Sequence, residues 1–139
     1  MALISSDGSG HFMQPIRIAV GDLSIDGELN DTESARALAR VLPLTAEFRI
    51  WGDELHFDVP LDEEPTARPA MSVSVGDLGL WAEGRTLCIF FGPTPMSAGE
   101  EPVSAVPVTV VGRVQRVEEL RTRKEAGEIT MLAHNGRDG

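Results

Sequence analysis

The residues of this chain with the means to do chemistry gather in two short stretches. The first surrounds Arg49, with Trp51 two positions on and the acids Glu47, Glu54 and Asp58 close by. A guanidinium there can donate to a carbonyl or carboxylate oxygen of a ligand, or be neutralised by its acidic neighbours in weak surface pairs. The second stretch runs from Phe90 and Phe91 to Pro93, Thr94 and Pro95. Trp51, Trp81, Phe90 and Phe91 are four of only seven aromatic residues, and the chain has no tyrosine. In a strand, Phe90 and Phe91 face opposite sides, so some aromatic surface lies outside the core. Such a floor beside a proline-rich loop suits a small molecule or an extended peptide. The competing reading is that a helix or the 92–106 loop covers it, as large aromatics are mostly core or cover residues. Arg49, Trp51, Glu54, Trp81, Phe90, Phe91, Pro93 and Thr94 are therefore the candidate ligand-binding residues.

Other chemistries find little support. Cys88 lies inside the apolar run TLCIFF, with no histidine or basic residue within two positions, so it reads as a buried structural thiol. His11, His56 and His134 show no paired spacing, and no CxxC occurs, so no metal is expected. Glu63-Glu64 beside Pro65 reads as a solvated turn, and EF-hand spacing is missing. No Gly-x-Ser-x-Gly, P-loop or dinucleotide fingerprint is present, so no cofactor is expected.

The elements that must position these residues follow a period of two. In IRIAV-GD-LSID, a turn at Gly21-Asp22 sets Val20 opposite Leu23 and Ile18 opposite Ile25, with Ala19/Ser24 and Arg17/Asp26 on the other face. A one-residue slip would bury Arg17, which pins the register. AEFRIW-GD-ELHFDV repeats the pattern: Gly52-Asp53 pairs Ile50 with Leu55 and Phe48 with Phe57 inward, and Arg49 with His56 and Glu47 with Asp58 outward. A third Gly-Asp, Gly76-Asp77, predicts a hairpin from MSVSV to LGLW. Between the first two hairpins, NDTESARALARVLP predicts a helix with an Asn30/Glu33 capping box, an apolar stripe of Ala35, Leu38, Ala39 and Leu42, and a stop at Pro43. It should plug one end of a barrel. TLCIFF reads as a strand buried on both faces. VPVTVVGRV is a further strand, VEELRTRKEAG a short helix ending at Gly127, and EITMLA a last strand. About eight strands and two helices result. The fold expected is mainly β, a closed eight-stranded barrel with two short helices, because closure removes exposed strand edges.

The 139 residues make one domain, expected over 15–134, between a flexible segment at 1–14 and a tail at 135–139. The net charge of −10 argues against nucleic acid or an anionic membrane surface as partner. No apolar run is long enough to span a membrane and the N-terminus lacks an export pattern, so a cytoplasmic location is expected. Residues 1–115 carry 17 acids and 7 arginines, whereas residues 116–139 carry five of each sign. The acidity thus belongs to the barrel body, most densely from Asp53 to Glu64. Oligomeric state stays open.

WGDELHFDVP, VGDLGLWAEGRTLCIFFGPTPMS and PVSAVPVTVVGRV, in that order, resemble the small prokaryotic group of cyclophilin-like proteins typified by a Thermotoga protein of similar length. The resemblance covers about Ile16 to Ala133 and implies an eight-stranded cyclophilin-type barrel capped by two helices. The biochemical role of that group is unsettled. Authentic cyclophilins carry a catalytic arginine in a Phe-His-Arg motif followed by Gln-Gly-Gly-Asp. Here Phe48-Arg49 stands at the comparable place, but Trp51-Gly52-Asp53-Glu54 turns where Gln-Gly-Gly-Asp would be, and nearby acids oppose a free cation. The favoured expectation is a barrel that binds a small molecule or peptide on its outer face without efficient prolyl isomerisation, with a cationic or neutral ligand preferred to an anionic one. The alternatives are an atypical prolyl isomerase using Arg49, and an accessory domain or subunit of an amidohydrolase-type enzyme.

Overall fold

The computed structural model describes residues 14–61, 69–125 and 127–134. Residues 1–13, which include His11, together with Glu63-Glu64 and the 135–139 tail, lie outside the described residues. Nine strands form: β1 (Gln14–Val20), β2 (Leu23–Leu29), β3 (Leu44–Trp51), β4 (Glu54–Asp58), β5 (Ala70–Ser72), β6 (Asp77–Trp81), β7 (Thr86–Phe90), β8 (Val103–Val114) and β9 (Gly127–Ala133). They are joined by helix α1 (Glu33–Arg40) and a 3-10 helix, η1 (Val117–Arg123). Eight strands follow the order β2-β1-β9-β3-β4-β7-β6-β8, and pairing of β2 with β8 closes the ring. β5 lies outside it, against β8. Closure needs β2 and β8 to approach tightly. Gly27 and Gly112 stand there, and a Cβ on either would run into the other strand's backbone.

The first hairpin has the expected register, from Val20 opposite Leu23 to Arg17 opposite Asp26. Its inward residues Ile16, Ile18, Val20, Ile25 and Leu29 are all buried in the barrel core. Outside, Arg17 bonds Asp26 at 2.8 Å. The second hairpin also pairs as expected from Trp51–Glu54 to Phe48–Phe57. β7 is buried on both faces. Leu87, Ile89 and Phe91 point into the barrel, while Cys88 and Phe90 belong to a second apolar cluster with Val73 and Val108 on the outside.

Three expectations are corrected. Gly76-Asp77 makes a turn, with the Asp77 N–H donating to the Ser74 carbonyl at 3.0 Å, but the strands before and after it do not pair with each other. β5 leaves the ring to lie on β8, and β6 pairs instead with β7 and β8. Helix α1 is capped by Thr32, whose hydroxyl accepts the Ala35 N–H at 3.1 Å. Asn30 acts one step removed, its side-chain oxygen accepting from the Thr32 N–H and hydroxyl. The short helix expected to run to Gly127 is a 3-10 helix, η1, that ends at Arg123. Val117 and Leu120, three apart, are its buried residues, which suits three residues per turn, and Gly127 opens β9.

The two helices close opposite ends of the barrel. α1 follows the end of β2 and buries Ala35 and Leu38, whereas η1 sits at the end bearing the three Gly-Asp turns. Gly21, Gly52 and Gly76 all take positive φ (61°, 60° and 98°), a region that glycine enters without strain. Each turn's aspartate meets a cation. Asp22 bonds Arg123, Asp53 takes Lys124 at 2.7 Å and Arg121 at 3.4 Å, and Asp77 takes Arg113 at 3.4 Å. The charge-balanced C-terminal segment thus lends its bases to the acidic body.

Candidate functional site

The strand registers build the site row by row. β3 places Arg49 opposite His56 and Trp51 opposite Glu54. β7 continues both rows, with Cys88 opposite His56 and Phe90 opposite Glu54. On the other side of β3, Glu47 stands opposite Glu128 of β9. The β3–β4 ladder stops at Phe48–Phe57, so the Glu47–Asp58 pair expected from the hairpin pattern falls outside it. At that point a cleft of about 750 Å³ opens over β4, β3 and the start of β9. Arg49, His56, Glu47, Asp58 and Glu128 line it, together with Phe48 and Phe57. The volume lies within the range of small-molecule sites.

Arg49 is exposed, and no ion pair among the described residues includes it. The pairing with Glu47, Glu54 or Asp58 anticipated from sequence is not made. Its cross-strand neighbour is an imidazole, and Glu54, on the same outer face of β4 as His56, is buried. Glu54 is only 5% exposed. Phe90 stands opposite it and the Cys88 thiol beside it, and the loop after β7 is pinned to the preceding turn: the Asp53 N–H donates to the Pro93 carbonyl at 2.9 Å, the Phe91 N–H donates to the Asp53 carbonyl at 2.8 Å, and residues 93–95 pass close over Gly52. Burial pushes the Glu54 carboxyl up to about 7, opposed only by the Cys88 thiol beside it. Burial, and then Arg49, hold His56 below the ordinary histidine range, with Asp58 acting the other way. The Cys88 thiol is pushed far up, by burial and then by Glu54. That is an inert thiol.

The eight candidate residues fall into four places rather than one groove. Arg49 opens on the cleft. Trp51, Glu54, Phe90, Pro93 and Thr94 form the covered patch beside it: Phe90 is fully buried, and the Thr94 hydroxyl donates to the Val103 carbonyl, stitching the loop down. Phe91 points into the barrel core. Trp81 lines a separate 90 Å³ cavity with Pro69, Leu80 and Pro107. The aromatic floor anticipated from Phe90 and Phe91 is therefore shut on both faces. Val73, Val106 and Val108 pack in the outer cluster with one ring, and the barrel core closes around the other.

His56, Glu47, Asp58 and Glu128 are the cleft residues the sequence reading did not select. For His56 the signal was present, because the hairpin pattern already set it opposite Arg49. Glu128 carried none, since it reaches Glu47 only through the long-range β3–β9 pairing. Among the described residues no group of three His, Cys, Asp or Glu is placed to hold a metal ion, and no helix is long and apolar enough to cross a membrane.

A family model described as cyclophilin-like matches residues 14–132. The solution structure of a hypothetical protein from Archaeoglobus fulgidus is similar with a TM-score of 0.76 and 26% sequence identity, over 92% of this chain and 100% of that one. A search of curated proteins returned no match.

Proposed function

The chain belongs to the cyclophilin-like family, and from that premise we propose that it is a binding barrel, not an efficient prolyl isomerase. Its ligand is a small polar molecule or short peptide held in the cleft over β4, β3 and β9. The observation that carries this reading is an exposed guanidinium, Arg49, that pairs with no carboxylate among the described residues although three carboxylates line the same cleft. Glu47 and Glu128 face each other across the strands as like charges, an arrangement that disfavours the empty site and that a ligand cation would relieve. Arg49 supplies donors for a carbonyl or carboxylate on the same molecule. With three carboxylates to one guanidinium, a ligand carrying an amine is favoured over a plain anion.

Prolyl isomerisation asks for a cation next to an open apolar pocket that grips the proline ring. Here the two phenylalanines nearest in sequence to that role, Phe90 and Phe91, are 0% and 1% exposed. Titration of the ¹⁵N-labelled protein with amino acids, polyamines and short peptides tests the binding reading. Shifts should converge on the amides of Glu47, Arg49, His56 and Glu128. Saturating shifts elsewhere on the surface, or none, would refute it. A test X-Pro peptide should show no enhanced cis/trans exchange.

A further inference from the structure

Two buried side-chain polar atoms lack a hydrogen-bond partner among the described residues, Glu54 Oε1 and His56 Nδ1. They belong to same-face neighbours on β4, and His56 Nδ1 lies 3.4 Å from the other Glu54 oxygen, Oε2. An unpaired buried polar group costs about 1–3 kcal/mol, so two at one spot need a reason beyond packing. The His56 side chain is 30% exposed although its Nδ1 is sealed. No partner bonds its Nε2 among the described residues, which leaves that nitrogen to meet the cleft that the ring lines, with Arg49 directly across the ladder. A buried carboxyl thus stands behind an imidazole, and the imidazole's outer nitrogen meets solvent beside a guanidinium. This is the order of groups in a general base held by an acid, with a cation ready for developing negative charge. No nucleophile completes it, because Cys88 is 2% exposed and lies behind, against Glu54.

We propose that the cleft is a proton-transfer site that enolises small carbonyl compounds, with His56 as the catalytic base, Glu54 as the residue that positions it, and Arg49 as the cation that receives the enolate oxygen. The proposal rests on the cleft being a binding site, as argued above. In the step, His56 Nε2 takes the proton from the carbon next to the carbonyl. The C–H electron pair becomes the C=C bond and the carbonyl π pair moves onto oxygen, beside Arg49. The imidazolium is held by the Glu54 carboxylate through Nδ1–H. Return of the proton from Nε2 to carbon restores both partners, and no oxidant, reductant or second substrate is consumed. The base form needs Nδ1 protonated and Glu54 ionised, so turnover rises with pH through about 7, where burial sets the Glu54 carboxyl. The other titratable groups around the pair are Arg49 from β3, Asp58 from β4 and Cys88 from β7, with Glu47 from β3 and Glu128 from β9 on the same cleft.

The test follows α-proton exchange in D₂O by ¹H NMR, using aminoacetone, hydroxyacetone and pyruvate as cationic, neutral and anionic probes. Exchange above that of an equal concentration of free imidazole is expected for the first two. It should fall at least tenfold in His56→Gln, and fall with loss of the pH step near 7 in Glu54→Gln. The ¹⁵N shifts of the His56 ring should report the Nδ1–H tautomer above pH 7 in the wild type and lose that preference in Glu54→Gln, a readout that simple destabilisation would not move. Amide spectra establish that each variant is folded, and His56→Asn serves if His56→Gln is not. Probe binding at the cleft without exchange, or exchange that survives loss of His56, overturns the proposal and leaves the binding reading intact. Neither binding nor exchange with these probes overturns the carbonyl assignment, while the binding reading stands or falls on the amine and peptide titrations.

Discussion

Asp53 and Glu54 are consecutive residues in the same turn, yet the fold treats them in opposite ways. Asp53 meets two cations from the C-terminal segment, Arg121 and Lys124, as Asp22 and Asp77 each meet an arginine. Among the described residues Glu54 meets no cation, is buried beside Phe90 and Cys88, and keeps an oxygen with no partner. The alternation of a strand separates them: one carboxylate projects over the barrel end toward η1, the other onto the outer face of β4. The three aspartates are explained by what they hold together. Glu54 weakens the structure it sits in. A group retained against its own desolvation cost is where function is sought.

The contrast can be broken most forcefully at Phe90, which stands opposite Glu54 and is fully buried. Phe90→Ala should cost about 3–5 kcal/mol in urea unfolding. By admitting water it should also return the Glu54 carboxyl toward its ordinary range. A loss below about 1 kcal/mol would mean that the outer cluster is not a second core.

The next effect is the pH dependence of stability. The Glu54 carboxyl is raised in the folded protein to about 7, from about 4.5 when unfolded. Between those values the folded state binds a proton that the unfolded state has lost. Its contribution is therefore fully present below pH 4.5 and is lost as pH rises through 7, about 3 kcal/mol at most. Glu54→Gln should flatten the descending limb of stability against pH between 5 and 8. Asp53→Asn should leave that limb in place. An unchanged limb in Glu54→Gln would show that Glu54 is hydrated in solution.

A smaller effect is expected at the turn that carries Asp53. Gly52 has a φ of 60°, and a Cβ there would come within 2.7 Å of Pro95. Gly52→Ala should cost about 1–2 kcal/mol through backbone strain and a lifted loop. It should also raise the hydrogen-exchange rate of the Asp53 and Phe91 amides, whose acceptors anchor that loop. The smallest effect belongs to Asp53 itself. Asp53→Asn removes contacts with partly exposed bases, so it should cost about 1 kcal/mol or less, and the difference should shrink in high salt.

Much of this protein was legible in its sequence, for a definite physical reason. Hairpin register depends on neighbours a few residues apart, and a slip would bury Arg17, so the pairs from Val20–Leu23 to Arg17–Asp26, and those around Gly52, could be written down in advance. The double burial of TLCIFF, the helix before Pro43, and the facing of Arg49 and His56 followed from the same local alternation. Tertiary structure decided what local pattern cannot carry. β5 left the ring for β8, Thr32 rather than Asn30 capped α1, and the short helix before β9 formed as the 3-10 helix η1. It also decided the site. Only the β3–β9 pairing brings Glu128 to Glu47, and only the β4–β7 pairing sets Phe90 and Cys88 beside the buried Glu54. A carboxylate's chemistry is set by its solvent and its partners, and both come from segments far away in the chain. The sequence alone thus determined which strands exist and which residues share a face, and the closed barrel decided which of those residues meet a cation, which meet solvent, and which meet neither.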